Sequence, residues 1–229
     1  MVKPIHIDPA LSDAAPQLKL GILTATVQNT EYDEELWGKI TNQISIIKKT
    51  YTGANITGLS PIASLRNVYK ILGKDPSRYR GSSEALLRRV LQGKGLYQVN
   101  TIVDINNLIS LKTLHPVGTY DLSKLVPPFT FRVGEPGQSY KGIGKSNINL
   151  ENLPVFEDEH GPFGSPTSDS ERAMISLHTR QIMMVIISFS GDGLSPALTE
   201  AEALLRTHVK ATGISSVIAE GKKREGVDL

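Results

Sequence analysis

The chain shows two kinds of hydrophobic pattern, and the change between them falls near Pro127. Before this residue, apolar positions recur with the helical period of about 3.6 residues. After it, short alternating runs typical of strands are separated by polar turns. The pattern predicts an α+β fold in which helices of the first half pack on sheets formed mainly by residues 129–189.

The predicted elements follow from start and stop signals along these runs. Residues 1–15 are interpreted as irregular and residues 220–229 as a frayed end. The segment 140–143 is expected to pair with 129–133, and 181–189, apolar on both faces, to form a buried strand. Helices are predicted at 33–48, from Ser60 to Gly73, from Ser82 or Ser83 to Gly93, from Asn100 to Pro116, and from a capping box of Thr199 and Glu202 to about 212; strands are predicted at 18–28, 129–133, 140–143, 150–156, 173–176 and 181–189.

Length and composition narrow the class of protein. The 229 residues fit one large domain, or one domain with terminal additions. The absence of cysteine excludes disulfides, thiolate catalysis and zinc–sulfur sites. The N-terminal residues hold no continuous apolar segment, and the longest apolar run, 182–187, is too short to span a bilayer. We therefore expect a soluble, cytoplasmic protein with no membrane partner.

Charge is unevenly distributed along the chain. The formal net charge is +2, but residues 66–94, hereafter the basic segment, hold eight basic and two acidic residues, an excess of six positive charges. Such a cluster favours contact with RNA phosphates, although solvated helix faces often have the same composition. No DNA partner is expected. The residues predicted to bind RNA are Arg78, Arg80, Arg88 and Arg89.

The helix predicted after Asn100 carries two polar residues three positions apart, Asp104 and Asn107, on one face between apolar stripes. In one interpretation both side chains bond to neighbouring backbone. A Ca²⁺ or Mg²⁺ site would need further oxygen ligands nearby, which the sequence does not supply. We predict no metal and no cofactor.

The run IVDINNLISL, followed by Pro116, Tyr120 and Asp121, resembles the B3/B4 domain of the phenylalanyl-tRNA synthetase beta subunit, where the pattern is V-V-D-x-x-N-Y and then P-x-H-x-F-D. The chain as a whole resembles the freestanding B3/B4-domain proteins. The resemblance covers about residues 60–190. It implies a single domain (1–229) of three layers, β/β/α, with a strand and helix added before the family core and a helix after it.

The sequence departs from the family pattern at two places. Gly118 stands where the family has a histidine, and His115 is a candidate replacement. A second landmark, Gly164 and the strand through Val185, is present, but Ser165-Pro166 replaces Gly-Glu. Asp169 or Glu171 is expected to supply the missing carboxylate from a shifted position.

In the synthetase this domain hydrolyses tyrosine wrongly attached to the phenylalanine tRNA. The resemblance therefore implies a tRNA or aminoacyl-tRNA partner and a deacylase activity. The alternative is a non-catalytic module that binds RNA or an amino-acid-like ligand, or a plain interaction domain. A catalytic triad of Ser168, His178 and Asp169 lacks the nucleophile-elbow spacing. The candidate catalytic residues are Asp104, Asn107, His115 and Asp169, and the candidate substrate-binding residues are Thr119, Ser168, Ser170, Glu171 and His178.

Overall fold

A computed structural model describes residues 4–51 and 55–221. The helices are α1 (Pro9–Ala14), α2 (Glu34–Thr50), α3 (Ser60–Ile71), α4 (Ser82–Leu91), α5 (Thr101–Thr113) and α6 (Leu194–Val209), with three 3₁₀ turns at Ile56–Gly58, Leu122–Lys124 and Glu171–Ala173. The strands are β1 (Ile5–Ile7), β2 (Lys19–Thr26), β3 (Val117–Asp121), β4 (Phe129–Val133), β5 (Ser139–Lys141), β6 (Asn147–Asn149), β7 (Pro154–Asp158), β8 (Gly161–Gly164), β9 (Gln181–Ser188) and β10 (Thr212–Glu220).

The middle layer is an antiparallel sheet in the order β10-β2-β9-β3. Strand β9 is buried on both faces because successive side chains point to opposite sides of a sheet and both sides are covered. Met183, Val185 and Ile187 join the core shared with the second sheet. Ile182 and Met184 join the core shared with the helices.

The outer sheet has the order β1-β4-β7-β8, in which only the β1–β4 pair is parallel among the pairs described. Its aromatic side chains fill the space between the two sheets: Phe131 stacks on Phe156 with ring centroids 4.1 Å apart, and Phe156 lies 6.0 Å from Phe163. Strands β5 and β6 form a separate hairpin. The sheets pack face to face through a core rich in aromatic rings.

The helices α2, α5 and α6 form the third layer on the other face of the middle sheet. Helix α5 begins at the predicted cap, where the Asn100 side chain accepts a hydrogen bond from Val103 N. The Asp121 side chain caps the 3₁₀ turn that follows β3 by accepting a hydrogen bond from Ser123 N. None of the helices in the described ranges is long and apolar enough to cross a membrane.

The predicted α+β, three-layer β/β/α fold is confirmed, and six of the ten strands in the described ranges lie within residues 129–189, as expected, although the middle sheet draws mostly on other parts of the chain. Three of the four strands of the middle sheet, β10, β2 and β3, come from outside that range. Residues 1–15 are not irregular in their described part, because they form β1 and α1. Strand β10 includes Glu220, while residues 222–229 of the predicted frayed end lie outside the described residues.

Several local predictions were also wrong. Strand β4 pairs with β7, while the 140–143 segment contributes to β5 and pairs with β6. Residues 173–176 form no strand, because a 3₁₀ turn ends there. Thr199 lies inside α6 and donates to Ser195 O, so it does not cap the helix. Helix α6 begins at Leu194, and its N-cap is Gly193, which has a φ of 73°.

Candidate functional site

A cleft of about 430 Å³ opens between α4, α5, β3 and the loop of residues 165–170. Ser82 N, in the first turn of α4, donates to Pro166 O at 2.7 Å and joins the helix to this loop. About half of the lining residues are polar, but most of the surface exposed in the cleft is apolar, which is usual for a small-molecule site. The apolar walls include Val99, Val103, Val117, Ile143, Met174 and Ile175, and the polar lining includes Arg89, Asn106, Asn107, Thr119, Lys145, Ser168 and Asp169.

Helix α5 places its two predicted polar residues in different surroundings. Asn107 lines the cleft, and its side chain makes no hydrogen bond to any residue of the described ranges. Asp104 is buried away from the cleft, where it accepts hydrogen bonds from Trp37 Nε1 at 2.8 Å and from Val99 N at 3.3 Å. Burial raises the pKa of Asp104 despite these bonds. Asp104 therefore holds α2 and the 97–99 segment against α5.

Strand β3 brings Thr119 to the same side of the cleft. Its hydroxyl donates to Asn106 Oδ1 at 2.9 Å, which fixes the amide of Asn106 against the strand. The neighbouring Asn107 keeps its amide group open to a ligand. Thr119 and Asn107 were predicted to lie in the site; Asn106 was not, although the sequence places it directly beside Asn107.

Beneath the cleft, the ring of Tyr120 lies between two glycines. A Cβ atom at Gly118 or at Gly164 would lie 2.2 Å from the Tyr120 hydroxyl oxygen, so neither position accepts a side chain unless the ring moves. The ring is edge-on to Phe163 at 4.8 Å between centroids. The glycine found at 118 in place of the expected histidine therefore goes together with a tyrosine whose ring fills that space.

Asp169 is the carboxylate that lines the cleft. Its Oδ1 accepts hydrogen bonds from the Tyr120 hydroxyl at 2.8 Å and from Ser165 N at 3.4 Å, whereas Oδ2 has no partner among the described residues. Burial raises the pKa of Asp169 to about 7, against the lowering effect of these two bonds and of the Lys145 charge. Such a group can accept and release a proton near neutral pH, as general acid–base catalysis requires.

The loop of residues 165–170 is held in one conformation by its own and neighbouring side chains. Ser165 Oγ donates to Ser168 O at 2.8 Å and accepts from the backbone N–H groups of Thr167 and Ser168. Thr167 shares a 2.7 Å hydrogen bond with the Tyr69 hydroxyl, and the Tyr140 hydroxyl donates to Ser168 O. Ser165 and the hydroxyls of Tyr69 and Tyr140 thus fix the loop, while Asp169 still lines the cleft.

Four other predicted site residues do not line the cleft. His115 is buried near Gly193, and burial lowers the pKa of its ring. Ser170 accepts from Arg172 N and caps a 3₁₀ turn, while Glu171 forms an ion pair with Lys141 at 2.9 Å.

His178 is exposed and bonds through its backbone N–H to Ser176 Oγ at 3.2 Å. The position of His115 gives no support to its predicted role as replacement for the family histidine. Of the two carboxylates proposed to replace the family glutamate, Asp169 lies in the cleft and Glu171 does not.

Three of the eight basic residues in the basic segment are held by partners within the protein. The buried Glu84 carboxylate forms ion pairs with Arg66 at 3.0 Å and Arg88 at 2.9 Å. Lys74 is buried and donates to the backbone carbonyl of Glu151. Burial lowers the pKa of Lys74.

The remaining arginines of the basic segment differ from these. Arg89 lines the mouth of the cleft, with its guanidinium 3.7 Å from the ring centroid of Tyr97 and bonded to the Tyr97 hydroxyl. Arg78 and Arg80 are exposed, and neither forms an ion pair within the described ranges. The four arginines predicted to bind RNA therefore fall into three environments. In the described ranges, no group of three or more His, Cys, Asp or Glu residues is arranged to hold a metal ion.

Comparison with known proteins shows which family and which solved structure the chain is similar to. A family model described as the B3/4 domain matches residues 64–204, which include the cleft. An N-terminal fragment of the phenylalanyl-tRNA synthetase beta-subunit from Pyrococcus horikoshii is similar in structure, with 13% sequence identity and a TM-score of 0.46. The alignment covers 94% of this chain and 53% of that fragment, so the chain spans about half of its length. No curated protein matches the sequence.

Proposed function

Since the chain belongs to the B3/4 domain family, we propose that it binds the aminoacylated 3′ end of a tRNA and hydrolyses the ester that carries the amino acid. The observation that carries the proposal is the cleft itself. It brings Asn107 of α5 and Asp169 of a distant loop into one space between aliphatic walls. Its volume of about 430 Å³ is in the range of small-molecule sites and suits an amino acid side chain with its ester.

The polar groups of the cleft suit ester hydrolysis. A water molecule bonded to Asp169 Oδ2 would be oriented by a carboxylate that can take its proton near neutral pH. The Asn107 amide and the Lys145 ammonium group supply donors for the negative charge that develops on the carbonyl oxygen. The terminal ribose hydroxyl of the tRNA can assist, as the family resemblance implies, so no protein nucleophile is needed.

The mouth of the cleft suits a nucleic acid end. Tyr97 is 67% exposed and carries the Arg89 guanidinium on its ring, which offers an apolar face and a positive charge side by side. Bases stack on such side chains without regard to sequence. Arg78 and Arg80 add exposed positive charge within the basic segment, where RNA phosphates would pass.

The test is to incubate the purified protein with correctly and incorrectly charged tRNAs and to follow release of the amino acid. Asn107→Ala should slow release about a hundredfold, the usual cost of losing one donor to a developing oxyanion. His178→Ala is the matched control, because His178 is exposed and away from the cleft; its rate should equal that of the wild type. The proposal fails if no charged tRNA is hydrolysed faster than in buffer.

A second function is favoured by the positions of Asp104 and His115, which lie outside the cleft. Asp169 is then the only carboxylate among the described residues that line it. A site with one such group can recognise an aminoacyl end without hydrolysing it. Retained affinity for charged tRNA with no release of amino acid would identify this non-catalytic binding module.

A further inference from the structure

We infer that Tyr120 is a positioning residue, which holds Asp169 Oδ1 through its hydroxyl so that Oδ2 is presented to the ligand in the cleft. The inference rests on the proposed function, since it concerns the same cleft. The family pattern has phenylalanine at position 120, which has no hydroxyl to make this bond, and the sequence alone did not mark Tyr120 as part of the site.

The surrounding atoms confine the Tyr120 ring to one position. Its hydroxyl lies in the space over Gly118 on one side and Gly164 on the other, where any Cβ atom would come within 2.2 Å. The ring is 1% exposed, so its hydroxyl cannot turn to bulk water. A buried hydroxyl without a partner is costly, and the hydrogen bond to Asp169 at 2.8 Å satisfies it.

The groups that face Asp169 come from three elements. Tyr120 of β3 donates to Oδ1, Lys145 of the β5–β6 turn contributes a positive charge, and Ser165 donates its backbone N–H. Tyr140 of β5 lies near enough for the Asp169 charge to raise its pKa, but its hydroxyl donates to Ser168 O instead. Tyr120 is thus the side chain that donates a hydrogen bond to the carboxylate, and Tyr140 is a neighbour that does not.

A hydrogen bond donated to a carboxylate favours its charged form, so removing the bond must raise the pKa. Tyr120→Phe should move the titration of Asp169 upward by about one to two pH units, as expected for one bond to a charged group. The measurement is a pH titration of the ¹³C carboxyl resonance, assigned by its absence in Asp169→Asn. Where charged tRNA is hydrolysed, the rising limb of the pH–rate profile should move upward by the same amount.

Two further variants test whether the shift in titration comes from the hydrogen bond between Tyr120 and Asp169. Tyr140→Phe removes a hydroxyl from the same neighbourhood and should leave the Asp169 titration in place. Gly118→Ala keeps both titrating residues but places a methyl group against the Tyr120 hydroxyl, so it should shift the titration upward as Tyr120→Phe does. If Tyr120→Phe and Gly118→Ala titrate like the wild type, the inference is overturned. The carboxyl titration needs no substrate, so it decides the role of Tyr120 even if the chain hydrolyses no tRNA.

Discussion

The cleft and the basic segment both concentrate polar side chains, but the protein satisfies them to different degrees. In the basic segment, Arg66 and Arg88 are held by the buried Glu84, and Lys74 is bonded to backbone carbonyls. In the cleft, the Asn107 amide and Asp169 Oδ2 have no partner among the described residues.

Because a buried or half-buried polar group without an internal partner is costly, such groups persist where a ligand or water can satisfy them. This difference shows that the number of charged residues in a segment is a poor guide to its function. The polar groups that have no partner within the folded protein are a better guide to function.

Among the variants that test this comparison, Glu84→Gln is expected to have the largest effect. If Arg66, Glu84 and Arg88 form an internal ion-pair network, the variant leaves both arginines without their carboxylate and should lose about 3 kcal/mol of stability, the lower end for a broken buried pair because both arginines remain partly exposed. Urea unfolding at neutral pH measures the loss.

The matched control is Glu202→Gln, which breaks the exposed pair with Arg206 in α6. Exposed pairs of this spacing contribute only about 0.5 kcal/mol. Equal unfolding midpoints for Glu84→Gln and Glu202→Gln would contradict the view that Glu84 holds Arg66 and Arg88 in a stabilising internal network.

Helix α5 also holds a paired and an unpaired polar side chain, and the expected effect on stability is smaller there. Trp37→Phe removes the indole donor from the buried Asp104 carboxylate and should cost about 2 kcal/mol at pH 7, as for a buried charged group that loses one hydrogen bond.

The pH dependence of this loss has a definite sign. Burial raises the pKa of Asp104 in the folded protein above its ordinary value of 3.8, so at pH 3.5 the folded-state carboxyl is mostly protonated and the loss of a donor to its charged form matters less. The difference in unfolding free energy between variant and wild type should therefore shrink at pH 3.5. A loss independent of pH would show that Trp37 stabilises by packing alone.

The elements that the sequence predicted well are those whose pattern is local. Strand β9 is a run of apolar residues, and α5 has its cap at Asn100 and its apolar stripes within its own length. Strand β10 was missed because its side chains are mostly exposed and its conformation depends on pairing with β2, which lies far away in sequence. The start of α6 was missed because Gly193 caps it without any side-chain hydrogen bond.

The residues of the candidate site were also predictable only where a signal lay close by in the sequence or came from the family resemblance. The resemblance to a known family brought Asn107, Thr119, Ser168 and Asp169 into consideration, and the structure places all four on the cleft. The hydrogen bond between Tyr120 and Asp169 joins residues 49 positions apart, and no local pattern predicts it. The nearest local signal was Gly118, two residues before Tyr120 and on the same face of its strand, where the departure from the family pattern marked a change in the surrounding side chains.

The smallest expected effect concerns the exposed arginines of the basic segment. Arg78 and Arg80 are exposed and form no internal ion pair in the described ranges, whereas Arg88 is held by Glu84 and Arg89 packs on the Tyr97 ring. Changing both exposed residues to glutamine should weaken tRNA binding and lower the slope of log affinity against log salt by about 0.7 to 0.9 for each lost phosphate contact. The effect on affinity shrinks at high salt, because exposed charges are screened there.

The control for this experiment removes the same amount of charge elsewhere. Lys48 and Lys49 are exposed in the last turn of α2, and changing both to glutamine alters net charge equally. If general attraction between a basic protein and RNA explained binding, the two double variants would have the same salt slope. If Arg78 and Arg80 contact phosphates, only their variant lowers it. Arg88→Gln should leave the slope unchanged and reduce stability instead, because its charge is already committed to Glu84.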